Sequence, residues 1–164
     1  AGHINSRSIG IEIVNPGHNF GYRAFPPEQI AAVIALCRGV IARHPVPPER
    51  VLAHSDIAPE RKEDPGELFP WEDIHAAGIG HWVAPASLTG GPVLRRGDGG
   101  KAVSALQDRF RQYGYGLEDE SEFGPVTEAV VTAFQRHFRP ARVDGIADAS
   151  TLMTLDRLIA ALGR

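Results

Sequence analysis

Apolar residues in this chain recur at two different periods, and the change from one to the other lays out the expected elements. Residues 8–14 read Ser-Ile-Gly-Ile-Glu-Ile-Val, with Ile9, Ile11 and Ile13 on one face of an extended run and Gly10 and Glu12 on the other, the two-residue alternation of a strand. Residues 15–22 (NPGHNFGY) follow as a loop whose Pro and Gly set its backbone angles. Three- and four-residue steps then take over. Ile30, Val33, Ile34, Cys37, Val40 and Ile41 predict a helix that starts at Pro27, where proline is tolerated in the first turn, and runs to about His44. Cys37 falls on its buried stripe and reads as a core thiol. Pro45, Pro47 and Pro48 end the helix, and Val51, Leu52 and Ala53 suit a second short strand. Residues 84–92 (APASLTGGP) are small and uncharged, the composition of a linker, and divide the chain into 1–83, 84–92 and 93–164.

Past that linker the sequence repeats. Val103-Ser104-Ala105-Leu106-Gln107 with Phe110 matches Val131-Thr132-Ala133-Phe134-Gln135 with Phe138 at an offset of about 28 residues by the numbering. Two similar helices are implied, joined through Phe123-Gly124-Pro125-Val126-Thr127. A third amphipathic helix carries Leu152, Leu155, Leu158, Ile159 and Leu162 on one side, with Asp148 or Ser150 as its cap and Asp144-Gly145 in the turn before it. By itself this pattern also fits a helical bundle that binds nothing.

Composition narrows the classes. At 164 residues the chain holds one ordinary domain or two small ones, and 43% hydrophobic with 23% charged residues is the balance of a globular protein with a core. Lys and Arg (17) against Asp and Glu (20) give a net charge of -3, so no basic excess draws it to nucleic acid. The apolar stretch of the first helix is broken by Arg38 and Gly39 and falls short of the roughly 20 residues a membrane span needs. A single cysteine excludes both an intrachain disulfide and a cysteine-based zinc site. The opening Ala1-Gly2-His3-Ile4-Asn5 has neither an initiator Met nor a signal core, and the 8–14 run reads as a strand entering without its predecessors.

The candidate chemistry lies in residues 54–66, HSDIAPERKEDPG. An imidazole and a carboxylate are ordinary zinc donors, at about 2.0–2.2 Å from the ion. A His and an Asp ten positions apart say little alone; the whole string says more. It closely resembles the zinc- and substrate-binding loop of the type-2 N-acetylmuramoyl-L-alanine amidases, and NSRSIGIEIVNPGHNFGY resembles the strand and loop upstream of it, a likeness running from about Asn5 to Trp82. Glu60 stands where that family most often has Gly after the Pro. Residues from about Val93 to Leu162 resemble the three-helix peptidoglycan-binding domains.

The resemblance implies an α/β amidase portion, a mixed sheet with packed helices that lacks its N-terminal strands, followed by a small all-α three-helix domain. It makes His54 and Asp64 ligands of Zn²⁺, Lys62 a polar catalytic partner and Glu12 the acidic residue reaching in from the strand, with Asn15 and His18 meeting substrate. The implied reaction is hydrolysis of the amide between N-acetylmuramic acid and L-alanine, and the implied partners are peptidoglycan or muropeptides, in the cell envelope (periplasm or outer-membrane-associated) with the cytoplasm as the alternative. The third ligand of the family is a His on an earlier strand, and no residue here matches it; His3 and His18 are the nearby alternatives. His44, His75, His81 and His137 have no motif context and read as surface or helix-end residues. A non-catalytic wall-binding protein with an incomplete metal site is the other expectation.

Overall fold

The computed structural model describes residues 4–118 and 120–163, so His3 lies outside the described residues. Six α-helices appear among them. Helix α1 spans Pro27–Arg43, with Pro27 in its first turn and the unbonded N–H that proline lacks costing nothing there. The short helix α2 is His54–Ile57 and α3 is Trp71–Ala76. Helices α4 (Lys101–Tyr113), α5 (Pro125–Phe138) and α6 (Ala149–Ala161) form the second half.

The expected mixed sheet is not there. Among the described residues there is no strand, only two isolated bridges, Leu94 with Ala147 and Gly99 with Glu122, and both lie in the helical half. The reason is that alternation prepares a strand but pairing makes one. In residues 8–14, Ile11 and Ile13 are half-buried and Glu12 is exposed, as alternation demands, yet no neighbouring backbone forms a ladder with them. Ile9 is exposed, and the Val14 carbonyl accepts instead from the Gln29 side chain at 2.8 Å. Residues 51–53 are likewise extended without a partner, although Ala53 is buried.

Two apolar cores hold the molecule. The first gathers Phe25, Ile30 and Val33 with Ala53, Phe69, Trp71, Ile74 and Ile79, and half-buried Cys37 packs against it. Burial pushes the Cys37 thiol above its usual range, as befits an inert core group. The second core is built from Val103, Leu106 and Phe110 of α4, Val130, Val131, Phe134 and Phe138 of α5, and Leu155 and Leu158 of α6. Each fully buried Phe there contributes roughly 1.5–3 kcal/mol. Trp82 packs against both cores. Residues 84–92 include Ala86, which is buried and docked on α6: its N–H donates to Thr154 Oγ1 at 3.0 Å and its carbonyl accepts from Ser150 Oγ at 2.6 Å.

The internal repeat has a structural meaning. Gln107 and Gln135 are fully buried at matching places in α4 and α5. Gln107 donates to the Glu122 carbonyl and to Thr127 Oγ1, both at 3.0 Å, and Gln135 donates to the Ile146 carbonyl at 2.8 Å and Thr151 Oγ1 at 3.2 Å. Each glutamine thereby fastens the start of the next helix. Asp148 caps α6, its carboxylate accepting from the Thr151 N–H at 2.8 Å.

Candidate active site

The turn that carries the chemistry begins where the extended residues 51–53 enter α2. His54 is the first residue of that helix, and Asp64 returns beside it: His54 Nδ1 lies 3.0 Å from Asp64 Oδ2, with both side chains open to solvent. Backbone bonds fix the return, since the Ser55 N–H donates to the Asp64 carbonyl at 3.1 Å. Ala58 closes the bend between them by accepting from the N–H groups of Arg61 and Lys62 at 3.1 and 3.0 Å. The Asp64–Pro65 peptide is cis. Lys62 is half-buried two residues before Asp64 and forms no ion pair among the described residues. Glu12 is exposed on the unpaired 8–14 run and has no hydrogen bond or ion pair to His54 or Asp64. No cluster of three or more His, Cys, Asp or Glu side chains suited to a metal occurs among the described residues.

The loop of residues 15–22 folds against the end of this turn. Asn15 spends its amide on the loop itself, donating to the Arg23 carbonyl at 2.8 Å and accepting from the Gly17 N–H at 3.1 Å. His18 stacks on Tyr22 with ring centroids 4.3 Å apart, and its Nε2 lies 3.0 Å from Glu67 and its Nδ1 3.5 Å from Glu63. His18 therefore joins these glutamates, one of which, Glu63, is the neighbour of Asp64 in the chain. Tyr22 donates to the Pro65 carbonyl and accepts from the Leu68 N–H, each at 2.8 Å. Burial raises its phenol to about 12, so it stays a donor at neutral pH.

A second layer comes from the helical half. Arg136 of α5 pairs with Glu63 at 2.9 Å and lies 3.9 Å from Glu67. His137 stands in the last turn of α5, a helix-end residue as expected, but it is buried and not at the surface: its ring lies between Trp71 and Phe138, at centroid distances of 3.7 and 3.8 Å, and its Nδ1 is 2.6 Å from Asp56 Oδ2. Asp56 and Tyr22 had no role assigned from the sequence, and both hold the turn in place. A signal for His137 existed, because the position matching it in the first repeat is Arg109, which pairs with Asp156 at the surface at 3.0 Å. A break in the repeat from an exposed cation to a buried ring marks a face with a different task.

Residues 1–67 match the N-acetylmuramoyl-L-alanine amidase family and residues 99–155 the putative peptidoglycan binding domain family. The chain is 36% identical over 169 residues to the N-acetylmuramoyl-L-alanine amidase AmiD of Escherichia coli (strain K12), an alignment that takes in 100% of this chain and 61% of that protein. Its fold is similar to the solved structure of E. coli AmiD in complex with anhydro-N-acetylmuramic acid-L-Ala-D-gamma-Glu-L-Lys, with a TM-score of 0.72 at 37% identity, covering 88% of this chain and 56% of that one. AmpDh3 from Pseudomonas aeruginosa is similar with a TM-score of 0.66 at 28% identity, covering 88% of this chain and 57% of that one. The chain thus spans about three-fifths of the length of AmiD. On these grounds residues 1–67 carry a domain of the N-acetylmuramoyl-L-alanine amidase family and residues 99–155 a domain of the putative peptidoglycan-binding family.

Proposed function

We propose that the protein hydrolyses the amide between N-acetylmuramic acid and L-alanine in peptidoglycan or its muropeptides, with residues 1–83 as the hydrolytic part, 84–92 as the connection and 93–164 as the part that docks on the polymer. The observation that carries the reading is the His54–Asp64 pair, two zinc-type donors 3.0 Å apart and open to solvent within a loop of this family. Nitrogen and oxygen donors of this kind fit Zn²⁺. Two donors leave the usual set of three short by one, so the reading requires a third from outside the described residues. The chemistry supplied by bound zinc is activation of a water as nucleophile at neutral pH.

In this reading Glu12 takes the proton of the attacking water and passes it to the leaving amine. Lys62 places its cation against the oxyanion that develops on the carbonyl. Asn15 shapes the loop and His18, held by Glu67, lines the substrate side. AmiD has been seen with a muropeptide, which supports the same class of ligand here. Docking by the helical half raises the local concentration of cleavable bonds. Polymeric peptidoglycan as substrate supports the cell envelope and soluble muropeptides the cytoplasm as well; no helix among the described residues is long and apolar enough to cross a membrane.

The test is zinc content measured beside turnover in the complete protein. His54→Ala and Asp64→Ala are expected to lose both. Lys62→Ala and Glu12→Ala are expected to keep zinc and lose turnover by about 10² to 10³, the usual effect of removing a transition-state partner. Normal zinc in His54→Ala, or near-parental turnover in Lys62→Ala, would sink the assignment. No zinc with retained binding to sacculi would favour a non-catalytic wall-binding protein.

A further inference from the structure

Asp56, Tyr115 and His137 form a buried polar knot beneath the candidate site that the proposed chemistry does not use. The side chains of Asp56 and His137 are 4% and 2% exposed, and Tyr115 is 7% exposed. Both carboxylate oxygens of Asp56 are taken. Oδ1 accepts from the Tyr115 hydroxyl at 2.6 Å, while Oδ2 accepts from His137 Nδ1 at 2.6 Å and from the Ala53 N–H at 2.8 Å. Ala53 precedes His54 and Asp56 follows it by two, so one carboxylate ties both flanks of the residue to a fixed point. Ser55, between His54 and Asp56, holds the Asp64 carbonyl through its N–H. Both donor residues therefore hang on backbone that Asp56 immobilises.

A desolvated carboxylate is costly unless its donors are present, and here two of the three come from the helical half. His137 is itself confined by Trp71 on one side and Phe138 on the other, which leaves its Nδ1 one direction. Burial first, and the Asp56 charge second, push the Tyr115 phenol well above its usual range, so it remains a donor. A domain that only tethers the enzyme has no use for such bonds; one that sets the turn beneath two ligands does.

We propose that His137 is a positioning residue for the hydrolytic site, holding Asp56 and through it the His54 turn, with Tyr115 as the second donor, so that the helical half takes part in turnover as well as in docking. The proposal rests on the amidase reading above. Displacement of a reacting group by about 1 Å costs on the order of 10²-fold in rate, so a loosened turn is expected to register in kcat.

The experiment compares His137→Ala and His137→Asn in the complete protein. Asn can offer an N–H where Nδ1 stood. Three quantities are read: kcat and KM on a small soluble anhydro-muropeptide, sedimentation with sacculi, and amide hydrogen exchange in residues 53–57. His137→Ala is expected to lose about tenfold to hundredfold in kcat with little change in KM or in sedimentation, and to exchange faster in the turn. His137→Asn should recover most of both losses. Parental kcat in His137→Ala, equal impairment of the Asn variant, or unchanged exchange would overturn the proposal. Should His137→Ala fail to fold, Tyr115→Phe removes one hydroxyl and is expected to lose several-fold in kcat; parental kcat there counts against the idea in the same way. An inactive parent protein would sink the amidase reading, and the exchange measurement would still decide whether His137 holds the turn.

Discussion

At Gly66 the backbone leaves no place for a side chain. Its φ of +86° lies in the left-handed region, and a Cβ there would stand 2.6 Å from Tyr22 Cζ and 3.0 Å from His18 Cε1. Neither neighbour yields freely, because Tyr22 is bonded to both Pro65 and Leu68 and His18 is stacked on Tyr22. Gly66→Ala is therefore expected to cost about 1–2 kcal/mol from the backbone alone, with the crowding added, and to disturb Asp64 two residues earlier. Urea unfolding checks the first effect and zinc affinity the second. A variant as stable as the parent would mean that the 15–22 loop can move aside, and that Tyr22 does not fix the end of the ligating turn.

Among the elements, the long helices α1, α4, α5 and α6 were readable in advance, the short α2 and α3 were not, and the expected sheet is absent among the described residues, for a physical reason. A helix satisfies its own backbone, so the spacing of Ile30, Val33 and Cys37, or of Val103, Leu106 and Phe110, suffices to place α1 and α4. Residues 8–14 carry a strand pattern but need a second chain segment to become a strand, and none pairs with them. His54 and Asp64 were visible because they sit in one contiguous motif. His137, which comes to Asp56 from 81 positions away, was not. The same holds for Arg139, the cation at the C-cap of α5. It is 1% exposed, 3.4 Å from Asp148, and donates to Thr151 Oγ1 at 2.7 Å, so it locks α5 to the capped start of α6. Asp148 keeps Arg142 at 2.8 Å when Arg139 is removed, so the loss is that of Arg139's own charged hydrogen bonds, about 1.5–3 kcal/mol. Arg139→Ala is thus expected to lower the unfolding midpoint of the helical half, read by near-ultraviolet dichroism, whereas a transition at the parental midpoint would show that the pair contributes little.

At the scale of the whole molecule, the two cores meet through polar and aromatic groups as well as through Trp82, and the tyrosines report on that union. The chain has three: Tyr22 under the ligating turn, and Tyr113 and Tyr115 against the seam. Burial raises all three above their usual range, Tyr22 to about 12, with the Asp56 carboxylate adding to the rise at Tyr113 and Tyr115. Unfolded tyrosine titrates near 10. Between about pH 10 and 12 the unfolded chain therefore binds fewer protons than the folded one, and stability falls as pH rises through that window, being fully present below it. The folded protein at pH 10.5, about half a unit above the unfolded value, is expected to show almost no tyrosinate absorbance. On further titration the phenolate band should grow together with loss of helical dichroism, because Tyr113 and Tyr115 ionise only once the seam opens. Tyr115→Phe should remove part of that late signal and soften the alkaline slope. Tyrosinate appearing near pH 10 while the helices persist would mean that the phenols at the seam are open to solvent, and that the halves are joined less tightly than the Asp56 contacts require.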